Sequence, residues 1–175
     1  GSQKTKGIVI TLPDAASLGK SVKAAISAGI PVISMNSGSD DYMKLGISAH
    51  VGQTEFEAGV GGGQKMKSAG GKKALCVNHE VGNVALDRRC AGFKKGFGGS
   101  VEILGTSNDP TEIQKAVAAT LGRGLATILR LGAGPTGEAA IKAFEAAGKV
   151  GSVTLGTFDR RPGMRKAYTG GKADF

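Results

Sequence analysis

Residues 73–97, KALCVNHEVGNVALDRRCAGFKKGF, combine an apolar segment, a polar loop and a segment with helical character. The apolar run Ala74–Val77 predicts a buried strand, because consecutive apolar side chains suit a strand that is covered on both faces. A polar loop from Asn78 to Asn83 follows, and then a helix that carries Arg89. Ligands bind at the carboxyl ends of strands in open parallel sheets, so this loop is the first candidate site.

The same order of strand, loop and helix recurs along the whole chain. Further apolar segments that predict strands lie at 7–12, 30–35, 101–104, 126–131 and 153–158. The intervening segments carry helical spacing, N-capping residues and terminal glycines. A helix from about Thr54 to Ala69 is also expected, although Gly59 and Gly61–Gly63 weaken it. The alternation predicts an α/β fold with a doubly wound parallel sheet.

The charge of the chain is compatible with an anionic partner. Its 175 residues have a formal net charge of +9, but aromatic residues make up only 5%. Binding of single-stranded nucleic acid uses aromatic rings interleaved with the basic residues, and that pattern is missing here. We therefore expect a solvated basic surface and no nucleic-acid partner.

The two cysteines, Cys76 and Cys90, are too few for a disulfide scaffold or a zinc site. Cys76 lies on the central strand, and Cys90 lies on the helix that should pack over it. They are either two small buried side chains or a bridge formed in an oxidising compartment, and we prefer the first interpretation.

A glycine motif offers an alternative function. Residues 132–137 match G-x-G-x-x-G through Gly132, Gly134 and Gly137, and Asp159 ends the next predicted strand. This pattern is typical of a dinucleotide-binding enzyme domain of the Rossmann type. However, the motif normally opens the first βαβ unit of its fold, and here at least four predicted strands precede it.

Few residues suggest catalysis. His50 and His79 are the only histidines, and the chain has no G-x-S-x-G, Walker A or Cys-x-x-Cys motif. We expect no enzymatic activity, no cofactor and no metal.

Four segments resemble one known family. They are GIVITLPD at 7–14, AGIPVISMNS at 28–37, RCAGF at 89–93 and LGTFD at 155–159. In this order they are similar to the periplasmic sugar-binding proteins of ABC importers, of the ribose-binding type. That family has two doubly wound lobes joined by three hinge crossings, with the sugar held between them.

The resemblance implies that residues 4–52 are part of the N-terminal lobe and residues 53–175 most of the C-terminal lobe. It also implies that the chain is truncated at both ends, because the family's first two βα units and its closing segment have no counterpart. Sheet edges exposed in this way would favour self-association.

The resemblance also implies a set of ligand-binding residues: Thr11, Asn36 and Ser37 in the first lobe, and Asn78 or His79, Arg89, Thr136 and Asp159 in the second. Glu80 and Asn83 are weaker candidates. Such a set suits a polyol, because a carboxylate accepts hydrogen bonds from two hydroxyl groups and a guanidinium donates to two oxygens. Alternatively, Arg89 is a surface residue and Asp159 caps the next helix.

The expected function is binding of a sugar or polyol for import, with an ABC transporter permease, and also a chemoreceptor, as partners in the periplasm. Besides the dinucleotide-binding domain, the sensor domain of a sugar-responsive transcription regulator is a second alternative.

Overall fold

The computed structural model describes residues 5–123, 127–130, 135–158, 167 and 169–171. Within it the chain divides into two compact units. Unit 1 comprises Gly1–Glu55 with Gly82–Ala85, and unit 2 comprises Phe56–Val81 with Leu86–Phe175. Among the described residues, every helix is too short or too polar to span a lipid bilayer.

Unit 1 contains a three-stranded parallel sheet in the order β1-β2-β3. Its elements are β1 (Ile8–Ile10), α1 (Ala15–Ser27), β2 (Val32–Asn36), a 3₁₀ helix (Met43–Leu45) and β3 (Ala49–Gly52). One face of the sheet forms a core with α1, in which Val22 and Val32 are buried. The other face carries Val9, Ile33, Met35 and Val51, which are between 38% and 68% exposed.

Unit 2 contains a four-stranded parallel sheet in the order β5-β4-β6-β7. Its elements are α2 (Glu55–Ser68), β4 (Lys73–Asn78), α3 (Val84–Phe97), β5 (Ser100–Gly105), α4 (Pro110–Leu121), β6 (Thr127–Arg130), α5 (Pro135–Ala146) and β7 (Thr154–Thr157). The first residues of α2 and α3, Glu55, Val84 and Ala85, belong to unit 1. The prediction of an α/β fold with parallel strands is confirmed, and the strands form two sheets.

Strand β4 is buried on both faces, as its apolar run predicts. Leu75 and Val77 belong to a core with α4 and α5, whereas Ala74 and Cys76 belong to a second core with residues of α2 and α3. All four residues are 0% exposed. The alternation of side chains along a strand therefore divides β4 between two helical layers.

Carboxylate side chains cap two of the helices. Asp14 precedes α1 and accepts hydrogen bonds from the amides of Ala16 and Ser17, and the Ser17 hydroxyl also donates to it. The pKa of Asp14 is lowered, mainly by the hydrogen bond from the Ser17 hydroxyl. The pKa of Asp109, which precedes α4, is lowered mainly by the hydrogen bond from the Glu112 amide. Since both pKa values fall on folding, these caps stabilise the fold at neutral pH and lose this effect in acid.

Glycines allow α2 and α3 to pack with their backbones in contact. A Cβ atom on Gly92 would overlap the carbonyl oxygen of Phe56, and one on Gly59 would overlap that of Arg89. Gly63 and Gly96 meet backbone atoms of the facing helix in the same way. Gly59 and Gly63, two of the glycines that weaken α2 in the sequence, are thus required by its packing, which compensates for their low helix propensity.

The preference for two free thiols is wrong. Cys76 on β4 and Cys90 on α3 form a disulfide with a Cα–Cα distance of 5.9 Å, and no cysteine is free. Buried cysteines that already face each other across a strand and a helix need no backbone movement to form a bridge.

Two glycine substitutions test the helix contact. Gly92→Ala should lower the free energy of unfolding by about 2–3 kcal/mol, because the new methyl group meets backbone atoms that cannot rotate away. Gly61 is the matched control, since it is exposed in α2 and a Cβ there meets nothing within 4 Å. Gly61→Ala should raise stability by ~0.5–1 kcal/mol. Equal effects of both substitutions in urea unfolding would contradict the packing.

The contribution of the disulfide to the free energy of unfolding should be measurable. The two cysteines are 14 residues apart in sequence, and in the loop-closure view a bridge across about 15 residues stabilises by about 3 kcal/mol. We expect the Cys76→Ala/Cys90→Ala variant to lose most of this free energy of unfolding. The parent chain in reductant is the control, because its side-chain volumes stay unchanged. Two thiols that react with iodoacetamide in non-reducing denaturant would show that no bridge exists.

Candidate functional site

The predicted residues of unit 1 lie where its strands end. Thr11 directly follows β1, Asn36 is the last residue of β2, and Ser37 comes next. Since the strands are parallel, these ends share one edge of the sheet. The Leu12 amide donates to the Ser37 carbonyl at 3.3 Å. Backbone pairing thus continues past the strands and holds the polar residues together.

Asn36 has an unusual backbone. Its φ of 62° makes it the only non-glycine residue with positive φ in the described part of the chain. Asparagine tolerates this left-handed conformation better than most residues, but it remains less favourable than for glycine. Asn36 is exposed, whereas the neighbouring Ser37 is 5% exposed. The left-handed conformation of Asn36 therefore ends β2 and turns the chain away from the strand direction at the sheet edge.

His50 lies on β3, two residues before the end of the strand, and no sequence motif marks it. Its Nδ1 is 2.8 Å from the hydroxyl of Ser34, a residue that is 0% exposed, and its ring lies 5.7 Å from that of Tyr42. Its Nε2 is buried and has no hydrogen-bond partner among the described residues. Only the pairing of β2 with β3, which places Ser34 opposite His50, could have indicated this contact.

Asn78 ends β4 at the corresponding edge of unit 2. It is 2% exposed. Its Nδ2 donates to Asp87 on α3 at 2.8 Å, and its Oδ1 accepts from the Glu80 amide at 3.0 Å. Asn78 therefore fixes the turn that carries His79 and Glu80 against α3. A direct role of Asn78 or His79 in ligand binding stays a prediction.

Asn83 belongs to the start of α3. Its Oδ1 accepts from the Ala85 amide at 3.0 Å, which is the contact of an N-capping residue. The next residue, Val84, donates its amide to the carbonyl of Pro13 at 3.0 Å within unit 1. The described contacts thus give Asn83 a structural role.

Arg89 lies inside the molecule. It is 7% exposed, and its Cζ lies 4.7 Å from the centroid of the Phe158 ring, directly after β7. The alternative of a solvated surface arginine is wrong, because α3 directs this side chain toward the end of β7. A planar guanidinium stacked on a ring has few rotamers left, so its donor groups are already oriented.

The remaining candidates are only partly described. Thr136 and Gly137 lie in the first turn of α5. Asp159, Gly132 and Gly134 lie outside the described residues, so their predicted roles stay predictions.

A comparison with models of protein families identifies the family of this chain. The periplasmic binding protein domain family matches residues 2–175. The chain belongs to this family. The predicted resemblance is therefore confirmed, and neither the dinucleotide-binding domain nor the regulator's sensor domain is favoured.

Solved structures of solute-binding proteins are similar to this periplasmic binding protein domain. A carbohydrate transporter of Acidothermus cellulolyticus, solved with myo-inositol, has 32% identity and a TM-score of 0.91 over 97% of this chain and 59% of its own. An ABC transporter solute-binding protein of Burkholderia graminis, solved with D-arabinose, has 26% identity and a TM-score of 0.84 over 96% and 61%.

A periplasmic sugar-binding protein of Legionella pneumophila, at 22% identity and a TM-score of 0.85, shares the fold over 97% of this chain and 65% of its own. This periplasmic binding protein domain thus spans 59% to 65% of the length of these three structures. No curated protein sequence is significantly similar to it.

The contact between Asn78 and Asp87 gives a test of the unit 2 edge. Asn78→Asp should lower the free energy of unfolding at pH 7 by more than ~2 kcal/mol, because it places two carboxylates at hydrogen-bond distance at a buried position. Stability relative to the parent chain should recover as the pH falls, because one carboxyl group of the pair then takes up a proton and donates to the other. Adding Asp87→Asn should restore stability at pH 7, since the amide and the carboxylate exchange places. If both variants are equally unstable in urea at pH 7, the contact does not fix this turn.

Proposed function

We propose that this chain binds a sugar or polyol as part of a periplasmic solute-binding protein that serves an ABC importer. The observation that carries the proposal is the family match over residues 2–175. The similar protein solved with myo-inositol, at 32% identity, supports a polyol as the ligand class. The D-arabinose complex at 26% identity agrees with this class.

The polar edges of the two units supply suitable chemistry. Asn36 offers an exposed amide at the edge of unit 1, and Arg89 offers an oriented guanidinium in unit 2. A sugar hydroxyl both donates and accepts, so planar groups with fixed direction select the arrangement of hydroxyls. We propose that Asn36 and Arg89 are sugar-binding residues, and that Thr11, Ser37, His79, Thr136 and Asp159 complete the set.

The proposal includes the lobes and the partners. Residues 4–52 then form part of the N-terminal lobe, and residues 53–175 form most of the C-terminal lobe. Closure of two lobes around a ligand changes the surface that a partner recognises, which requires no covalent step. The partner is a transporter permease, and also a chemoreceptor, and the location is the periplasm.

The test is a thermal-shift and calorimetric screen of the 175-residue chain with myo-inositol, D-arabinose, D-fucose, other pentoses and hexoses, and NAD(P). A ligand at ~100 times its Kd stabilises by about 2.7 kcal/mol, which raises Tm by several degrees. We expect a rise with at least one sugar or polyol and none with NAD(P). If only NAD(P) raises Tm, or if no sugar or polyol raises it, sugar binding by this chain is rejected.

Asn36→Gly separates binding from stability. Glycine adopts the φ of 62° at Asn36 without strain, so the variant should keep or slightly raise its Tm. Loss of the amide should weaken sugar binding by about tenfold, the effect of one hydrogen bond that is not replaced. Asn108→Ala is the control, because Asn108 is an exposed loop amide between β5 and α4. Unchanged affinity in Asn36→Gly would remove Asn36 from the site.

A further inference from the structure

A group of exposed lysines lies at the end of unit 2 opposite its polar edge. We call it the lysine patch, and it comprises the lysines of two segments, 65–73 and 94–100: Lys65, Lys67, Lys72, Lys73, Lys94 and Lys95. All are exposed. Neither segment contains an Asp or a Glu. The patch thus accounts for much of the chain's net charge of +9.

Contacts within unit 2 bring the two segments together. The Lys67 ammonium lies 5.5 Å from the ring centroid of Phe97, the last residue of α3. Lys73 at the start of β4 pairs with Ser100 at the start of β5. The amide of Gly71 donates to the carbonyl of Met66 at 3.2 Å, which holds the connecting turn against the end of α2. Five of the six lysines therefore share one end of the unit, whereas the Lys95 ammonium extends toward the Phe56 ring in the first turn of α2, 5.4 Å from its centroid.

Helix stabilisation explains only part of the patch. Lysines in the last turn of a helix interact favourably with the helix dipole, and Lys65, Lys67, Lys94 and Lys95 have that position. Lys72 and Lys73 lie beyond α2, in the turn and the first residue of β4. Their charges add to those at the helix ends, but they do not stabilise either helix through its dipole.

The surroundings of the patch indicate the kind of partner. None of the exposed large hydrophobic residues lies in the two segments, and both segments are described in full. Protein interfaces usually centre on buried aromatic or apolar side chains, which this surface does not offer. Phe97, the one aromatic residue of the segments, is 1% exposed and cannot stack on a nucleobase. A layer of lipid phosphates requires only clustered positive charge.

We propose that the lysine patch binds an anionic phospholipid surface. Each lysine near such a surface strengthens binding roughly fivefold, so a cluster of this size is enough for reversible binding at moderate ionic strength. Strand β4 runs from the patch at Lys73 to the polar edge at Asn78. Lipid contact at one end of the unit therefore leaves the other end free, and the inference does not depend on sugar binding.

The test is co-sedimentation of the 175-residue chain with vesicles of phosphatidylcholine alone or mixed with phosphatidylglycerol. Binding should require phosphatidylglycerol and should fall steeply between about 0.03 M and 0.15 M salt, because exposed charges are screened. The variant Lys72→Gln/Lys73→Gln/Lys94→Gln should bind at least ~10-fold more weakly. Its circular dichroism and Tm should match those of the parent, since all three side chains are exposed.

A matched control separates the patch from the total charge. Lys20→Gln/Lys23→Gln/Lys115→Gln removes the same charge from exposed positions on α1 and α4, and it should keep binding within about threefold of the parent. Equal loss in both variants would show that net charge alone acts. No binding of the parent to anionic vesicles would overturn the proposal. Tighter binding to a DNA duplex than to vesicles, at equal phosphate and salt, would assign the patch to nucleic acid instead.

Discussion

The contact between the backbones of α2 and α3 is the constraint on which unit 2 depends. Gly59 and Gly63 on one helix face Gly92 and Gly96 on the other, and each lacks the Cβ atom that would separate the helices. Because α3 sits this close to α2, Phe93 and Phe97 fill the layer between these helices and β4. Gly59 also lies against the carbonyl of Arg89. The same contact thus sets the position of the buried arginine that the proposed site uses.

Much of the fold could be predicted because local pattern and tertiary structure agree. The run Ala74–Val77 is apolar at every position, and β4 is indeed covered on both faces. By contrast, Gly59 and Gly63 look like a weakness in α2, because the backbone atoms that require them lie on another helix, which the local sequence does not identify. The disulfide is not the preferred interpretation of the sequence for a similar reason. Two cysteines on neighbouring elements indicate proximity, but the geometry of a bridge depends on how closely the helix approaches the strand.

The candidate site was predictable as a location and less so as a set of roles. Parallel strands place their polar carboxyl ends at a common edge, so the positions of Asn36 and Asn78 followed from the alternation alone. Their different roles did not follow. Asn36 is exposed on a left-handed turn, whereas Asn78 is buried with its amide bonded to Asp87 and to the Glu80 backbone. These partners are set by the packing of α3, as is the stacking of Arg89 on Phe158.

The two ends of unit 2 differ in chemistry in a way that fits a neutral ligand. A sugar or polyol carries no charge, so fixed hydrogen-bond directions matter more than a strong field at its site. The described carboxyl edge accordingly presents a buried amide bonded to the Asp87 carboxylate, the turn that carries Glu80, and the buried Arg89 guanidinium stacked on Phe158. The lysines instead collect at the amino end of β4, in a segment pair without acidic residues. Since exposed charges separated by more than about 8–10 Å are largely screened, the patch leaves the polar edge almost unperturbed. The unit can therefore carry a strongly basic surface without making its polar edge selective for anions.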